Sequence, residues 1–334
     1  MDQQIEQVKT DITVDQMSRA QSIITGMKNY YESKMVGQER LGLSLIISMM
    51  ANGHILLESV PGLAKTTAAK VVTESVNGQF SRIQCTPDLL PSDIIGTQTF
   101  NMSNNTFETK IGPVFANFVL LDEINRSSAK TQSAMLEAMQ ERTVSIGGTS
   151  YKLPDVFIVV ATQNPIEQEG TYELSEAQLD RFLLKEVITY PTASQEVEIL
   201  NRIESGVFTS VTPVASIDDV VFLQDICKKI YIAPTIKKYI VDIVQASRNP
   251  SESIFKDLAP YVAMGASTRA AIAFMETSKA VALSQGRAYV TPDDVKEMRH
   301  EVLRHRIMLN FAAIADGVKA ETIIDAIFKS VNTP

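Results

Sequence analysis

Three short apolar runs, none with polar alternation and each ending in polar groups, constrain this chain more than any other feature. They are His54 to Glu58 (HILLE), Phe118 to Leu121 (FVLL) and Val156 to Ala161 (VFIVVA). Runs of this kind suit strands covered on both faces, and the helical patterns between them call for parallel crossovers. The expected class is therefore α/β, with a parallel sheet between helices and ligands held at the carboxyl ends of the strands. A Pro-Gly turn follows the first run, Asp122-Glu123 the second and Thr162-Gln163-Asn164 the third.

The pattern changes near Tyr190-Pro191. Beyond it nearly everything reads as helix: Ser194 to Glu204, Ile217 to Ile230, Pro234 to Arg248, Ser267 to Gln285 and Pro292 to Leu309. Thr291-Pro292-Asp293-Asp294 is a good helix start, with a capping hydroxyl, proline at the first position and acids in the first turn. With 334 residues and 45% hydrophobic content the chain is long enough for two domains. We place a core with an N-terminal helical segment at 1–192 and a small helical domain at 193–334. Inside the core, 86–116 is too long for a simple connection and carries a Ser-Asn-Asn turn at 103–105, which predicts an inserted hairpin or mobile loop. A second hairpin is expected with arms at Thr143 to Ile146 and Thr149 to Leu153, turned at Gly147-Gly148.

Ser59-Val60-Pro61-Gly62-Leu63-Ala64-Lys65-Thr66 has the length, lysine and hydroxyl of a phosphate-binding loop, but Ser59 and Ala64 replace its two outer glycines. The underlying physics is less strict than the pattern. Backbone N–H groups of the loop and of the helix start, through Thr67, face phosphates; Lys65 adds charge and Thr66 a hydroxyl for Mg²⁺. Ala64 adds only a methyl at a tight turn. Ser59 is uncomfortable if its backbone requires positive φ, at a cost on the order of 1 kcal/mol. Read alone, the segment is also compatible with an ordinary Pro-Gly turn before a helix.

Adjacent acids after a buried strand decide the reading, because such a pair is costly unless something uses it. Asp122 is expected to hold Mg²⁺ through water, and Glu123 to orient and deprotonate an attacking water. Asn164 suits a polar reach to the γ-phosphate, or else a turn before Pro165. Arg181, in Glu176-Ala177-Gln178-Leu179-Asp180-Arg181-Phe182, suits a finger onto a neighbouring subunit's phosphates, or a local pair with Asp180 or Glu176. Arg269 begins a helix and suits a contact to phosphates as the second domain closes.

Other chemistries find little support. Cys85 and Cys227 form no CxxC pair and read as buried thiols, and the three histidines lack metal-ligand spacing. Arg304-His305-Arg306 reads as a helix surface or a complement to a helix carboxyl end. A net charge of −8 and a pI near 5.1 argue against a surface built for nucleic acid. No run approaches the roughly 18 apolar residues of a membrane span, and the polar, acidic start is unlike a signal peptide, so the expected compartment is the cytoplasm.

Taken together, HILLESVPGLAKT, FVLLDEINR, LEAMQER, VVATQNPIEQEGTYELSEAQLDRF and GASTRA resemble the MoxR family of AAA+ ATPases over nearly the whole chain. The resemblance implies a P-loop NTPase core (an αβα sandwich with a helix-2 insert), a helical lid and a ring, usually hexameric. It implies ATP and Mg²⁺ as ligands. Lys65 and Thr66 match Walker A, Asp122 and Glu123 Walker B, Asn164 sensor 1, Arg181 the arginine finger and Arg269 sensor 2. Val36-Gly37-Gln38 matches the segment that packs by the adenine. Similar proteins act as chaperone-like ATPases with partners carrying von Willebrand factor A domains. Two other functions stay open from sequence: a nucleotide-gated scaffold that scarcely hydrolyses ATP, and a DNA-acting motor.

Overall fold

The computed structural model describes residues 11–60, 62–165, 170–206, 212–253 and 257–334. The described residues pack as two compact units, one within 26–221 and one in which 11–25 join residues from 222 onward. This division differs from the one read at 192/193. The helix Ala193–Glu204 packs with the first unit, and part of the N-terminal helix Val14–Lys34 packs with the second.

The first unit is built on strands β1 (Ile55–Glu58), β2 (Phe80–Gln84), β3 (Gly96–Asn101), β4 (Thr106–Ile111), β5 (Phe118–Asp122), β6 (Thr143–Ile146), β7 (Thr149–Lys152), β8 (Ile158–Gln163) and β9 (Leu184–Val187). Five of them form one sheet in the order β2-β5-β8-β1-β9, every pair parallel. The apolar runs become β1, β5 and β8, the three inner strands, buried on both faces. On one face Leu56, Val119, Leu121, Val159 and Ala161 pack with Met135, Leu136 and Met139 of the helix Ala129–Glu141. Each of these Val, Leu and Met side chains contributes about 1.5–3 kcal/mol of burial. The stretch 86–116 holds the short helix Pro91–Ile95 and the hairpin β3-β4, and β6-β7 form the second hairpin at Gly147-Gly148.

His54 ties the amino end of β1 to β8. Its Nδ1 accepts the Val159 N–H (3.0 Å) and its Nε2 lies 3.1 Å from the Met139 carbonyl, so the ring is a neutral tautomer donating from Nε2. Burial, helped by the nearby Arg142 charge and opposed by the Met139 hydrogen bond, pulls its pKa down from 6.5 to about 3. The unfolded chain therefore binds the extra proton more readily. The stability His54 contributes is complete above about pH 6.5 and is lost as pH falls from there toward 3. We expect a loss on the order of 2 kcal/mol between about pH 7 and pH 5. Urea unfolding across that range should show a shallower pH slope in a His54→Asn protein. Equal slopes would remove His54 as the cause.

Helices dominate the second unit, with the predicted spans appearing as Pro234–Arg248 and Thr268–Ser284. The expected helix Pro292 to Leu309 is broken. Met298 interrupts it (φ −104°, ψ 18°), leaving Pro292–Glu297 and Arg299–Leu303. Met308–Leu309 then becomes β11, antiparallel to β10 (Val262–Met264). The surface reading of Arg304-His305-Arg306 is also corrected, since His305 and Arg306 are buried. Arg306 Nη1 donates to the Val302 carbonyl (2.6 Å) at the helix end, where its charge complements the terminal carbonyls. Both cysteines are buried as expected, and burial pushes each thiol up to about 12. Among the described residues no helix is long and apolar enough to cross a membrane, and no cluster of three metal-ligating side chains occurs.

Candidate functional site

The order β5-β8-β1 places the ends of the three inner strands side by side. Ser59 continues β1, Asp122 closes β5 and Asn164 follows β8, so the loop, the acids and the polar strand tip converge at the carboxyl edge. The helix Lys65–Ser75 starts there. Its first N–H groups have no acceptor within the helix, which favours an anion.

Backbone strain in the loop falls elsewhere than at Ser59. Gly62 (φ +87°) and Ala64 (φ +54°) are the loop residues with positive φ, while Ser59 is absent from the positive-φ set. The Ser59 N–H bonds to the Gln163 carbonyl (3.3 Å), as an extension of the sheet, and its Oγ donates to the Val60 carbonyl (2.9 Å). Its side chain is turned into the loop, and the left-handed cost of about 1 kcal/mol rests on Ala64. Lys65 is nearly buried and donates to the Ser59 carbonyl (3.3 Å). Burial lowers its pKa, and the carboxylates of Asp122 and Glu123 oppose that shift. Thr66 is half-buried and Thr67 exposed at the helix start; Pro61 lies outside the described residues.

Thr162 organises the acidic pair, a role sequence reasoning missed. Its hydroxyl donates to Asp122 Oδ1 (2.9 Å) and accepts the Glu123 N–H (2.8 Å). Glu123 adopts a left-handed backbone (φ +57°), an unfavourable state for a residue with a Cβ, and the Thr162 contact helps to hold it. Asp122 Oδ2 is taken by Arg82 (Nη2, 2.6 Å), and Gln84 Nε2 donates to Glu123 Oε2 (3.2 Å). Arg82 and Gln84 lie on β2, whose polar sequence FSRIQ gave no strand signal. Asn164, one residue beyond the end of β8, is buried.

Next to the loop lies a cavity of about 280 Å³, lined mostly by apolar groups. Met35 and Val36 form one wall, Leu63 and Ala64 another, and Ile199 and Ile203 of Ala193–Glu204 a third. Gly37 (φ +71°) lies in sequence between the lining residues Val36 and Gln38; a Cβ there would lie 2.5 Å from the Gln195 side chain. A flat, weakly polar group such as a nucleoside base suits this slot beside a helix start whose free N–H groups favour an anion. Met35, Ile199 and Ile203 were not singled out from sequence, because nothing local marks them.

Two further predicted residues lie on other elements. Arg181 follows the short helix Glu176–Leu179 and precedes β9; its Nε is buried without a hydrogen-bond partner. Arg269 is exposed near the start of Thr268–Ser284 in the second unit, its backbone N–H capped by Ser267 Oγ (3.0 Å).

Comparison with known proteins follows the same lines. Residues 54–184 match the model of the ATPase family associated with various cellular activities (AAA), and 255–327 match the AAA lid domain. The chaperone MoxR1 of Mycobacterium tuberculosis is 45% identical over 90% of this chain and 79% of its own length. The YeaC protein of Bacillus subtilis is 43% identical over 90% of this chain and 91% of its own. The crystal structure of a protein from Cytophaga hutchinsonii superposes with a TM-score of 0.90 at 44% identity, covering 96% of this chain and 97% of that one. On this similarity, which extends far beyond the phosphate loop, the chain belongs to the MoxR family of AAA+ ATPases.

Proposed function

We propose that this chaperone-like ATPase hydrolyses Mg²⁺-bound ATP in a ring, most simply a hexamer, and uses the cycle to remodel or assemble protein complexes with a von Willebrand factor A domain partner in the cytoplasm. The observation that carries the catalytic part is the convergence of Lys65, Asp122, Glu123 and Asn164 at adjacent strand ends, beside an apolar slot of base size. The loop from Ser59 to Thr67, with Val60, Pro61, Gly62 and Leu63, is assigned to the phosphates, and Val36 and Gly37 to the base. A cation fits the site because Asp122 Oδ2 already holds one, the Arg82 guanidinium. Thr66 and Asp122 are the residues that would hold Mg²⁺, which when bound offsets charge on the outer phosphates. Lys65 adds a second positive charge there. Glu123 takes the proton of the attacking water, with Asn164 orienting that water. Arg181 of a neighbour and Arg269 of the lid are assigned to the transition-state charge.

The client contact is assigned to the inserted hairpin β3-β4. Its Phe100 and Phe107 rings meet across the strands at a tilt of 60° (centroids 5.2 Å apart), and Met102 near the turn is 88% exposed. Exposed apolar groups concentrated on one hairpin are costly unless a partner covers them. Both assembly and partner can be tested with a Glu123→Gln protein held in its ATP state. Sedimentation with Mg²⁺-ATP is expected to show a ring of about six subunits, and capture from lysate a protein with a von Willebrand factor A domain. A monomer at saturating ATP would sink the ring, and capture without such a protein would sink the partner.

A further inference from the structure

Arg82 and Gln84 of β2 grip the acidic pair, and neither takes part in the proposed hydrolysis. Arg82 donates to Asp122 Oδ2 from Nη2 (2.6 Å) and from Nε (3.2 Å), and its Nη2 also reaches Gln84 Oε1 (3.1 Å). Thr162 occupies the other oxygen, Oδ1. The register explains the reach: Gln84 lies opposite Asp122, and Arg82 opposite Leu120 on the same side of the strand as Gln84. An arginine two residues back is long enough to arrive at the carboxylate. The two partners differ in exposure, with the Arg82 side chain 51% exposed and that of Asp122 only 11%. The cation can swing away into solvent, whereas the carboxylate stays where Thr162 holds it.

We propose that Arg82 is a positioning residue that stands on Asp122 where a divalent cation would act, and that loading the site requires its displacement. This rests on the Mg²⁺-nucleotide reading of the site. Two positive groups at one carboxylate repel each other, and Oδ2 cannot serve both fully. The guanidinium therefore keeps Asp122 oriented and its charge compensated while the site lacks metal. It also raises the Mg²⁺ concentration needed to complete the site.

The test measures binding. A fluorescent ADP analogue is titrated onto metal-stripped protein, then Mg²⁺ is added stepwise, for the unaltered chain, Arg82→Met and Arg82→Lys. Arg82→Met keeps the apolar stem and removes the charge. Its Mg²⁺ midpoint is expected to fall about two- to fivefold, the range for a partly exposed ion pair. Its metal-free affinity for the analogue should stay level or drop, because Asp122 is then uncompensated near the phosphates. Arg82→Lys, with charge but no fork, should fall in between. A midpoint that is unchanged or higher in a folded Arg82→Met protein overturns the proposal, since a purely structural arginine would shift the melting temperature and leave the Mg²⁺ midpoint alone. If Arg82→Met does not fold, Arg82→Lys decides: a lowered midpoint supports displacement and an unaltered one refutes it. Absence of analogue binding by the unaltered chain at any Mg²⁺ concentration would instead defeat the nucleotide-site reading itself, before any variant is compared.

Discussion

Replacing Glu123 by Gln is expected to lower ATP turnover by about 10² to 10⁴, the contribution of a positioned general base, with little change in ATP affinity. The substitution keeps shape and removes the basic oxygen. The Glu123 backbone is held in its left-handed state by the Thr162 hydroxyl, a contact made by the main chain and therefore retained in the variant. Gln84 donates to Oε2, and a glutamine carbonyl can still accept that bond. Nucleotide affinity is assigned in this proposal to other groups: the helix start at Lys65, the Lys65 side chain and the cavity walls at Val36, Leu63 and Ile199. Steady-state phosphate release and fluorescent-nucleotide titration on the same preparation separate the two effects. Unchanged turnover would remove Glu123 as the base, and a parallel loss of binding would mean that its charge positions the metal and not the water.

How much of this was legible in the sequence follows from where each residue sits in the sheet. The inner strands were readable because burial on both faces forces unbroken apolar runs, and the polar residues ending them stand out by contrast. The outer strands β2 and β9 were not, since an edge position tolerates sequences such as FSRIQ and LKEV. With β2 went the partners of the acidic pair, Arg82 and Gln84. Strand order has no local signature, so the sequence could not show that β8 separates β1 from β5 and brings Thr162 against Asp122. The pattern of missing glycines pointed to Ser59 as the strained position. The structure puts positive φ at Ala64, because Ser59 still belongs to the sheet through Gln163. Tertiary pairing of β10 with β11 likewise overrode helical periodicity near Leu309.

Mixing two inactive proteins should restore activity if Arg181 serves a neighbour's site. Strand β9 runs parallel to β1, with Leu184 opposite Ile55, so Arg181 precedes the sheet's amino edge. The phosphate loop leaves β1 at the opposite edge, after four residues that span about 13 Å at 3.3 Å each. Phe182 is fully buried in the core and fixes the chain at that point. An arginine anchored there is poorly placed for its own loop, which leaves an adjoining subunit as its target. Alone, Arg181→Ala is expected to lower turnover by about 10³ or more while sparing nucleotide binding. Lys65→Ala is expected to lose both, through its own site. In a mixed ring the Lys65→Ala subunit still carries Arg181 and can complete the intact loop of an adjacent Arg181→Ala subunit. Activity should therefore be near zero at either end of the mixing series and highest between. A flat series, in rings shown by mass to contain both proteins, would assign Arg181 to its own subunit or to structure alone.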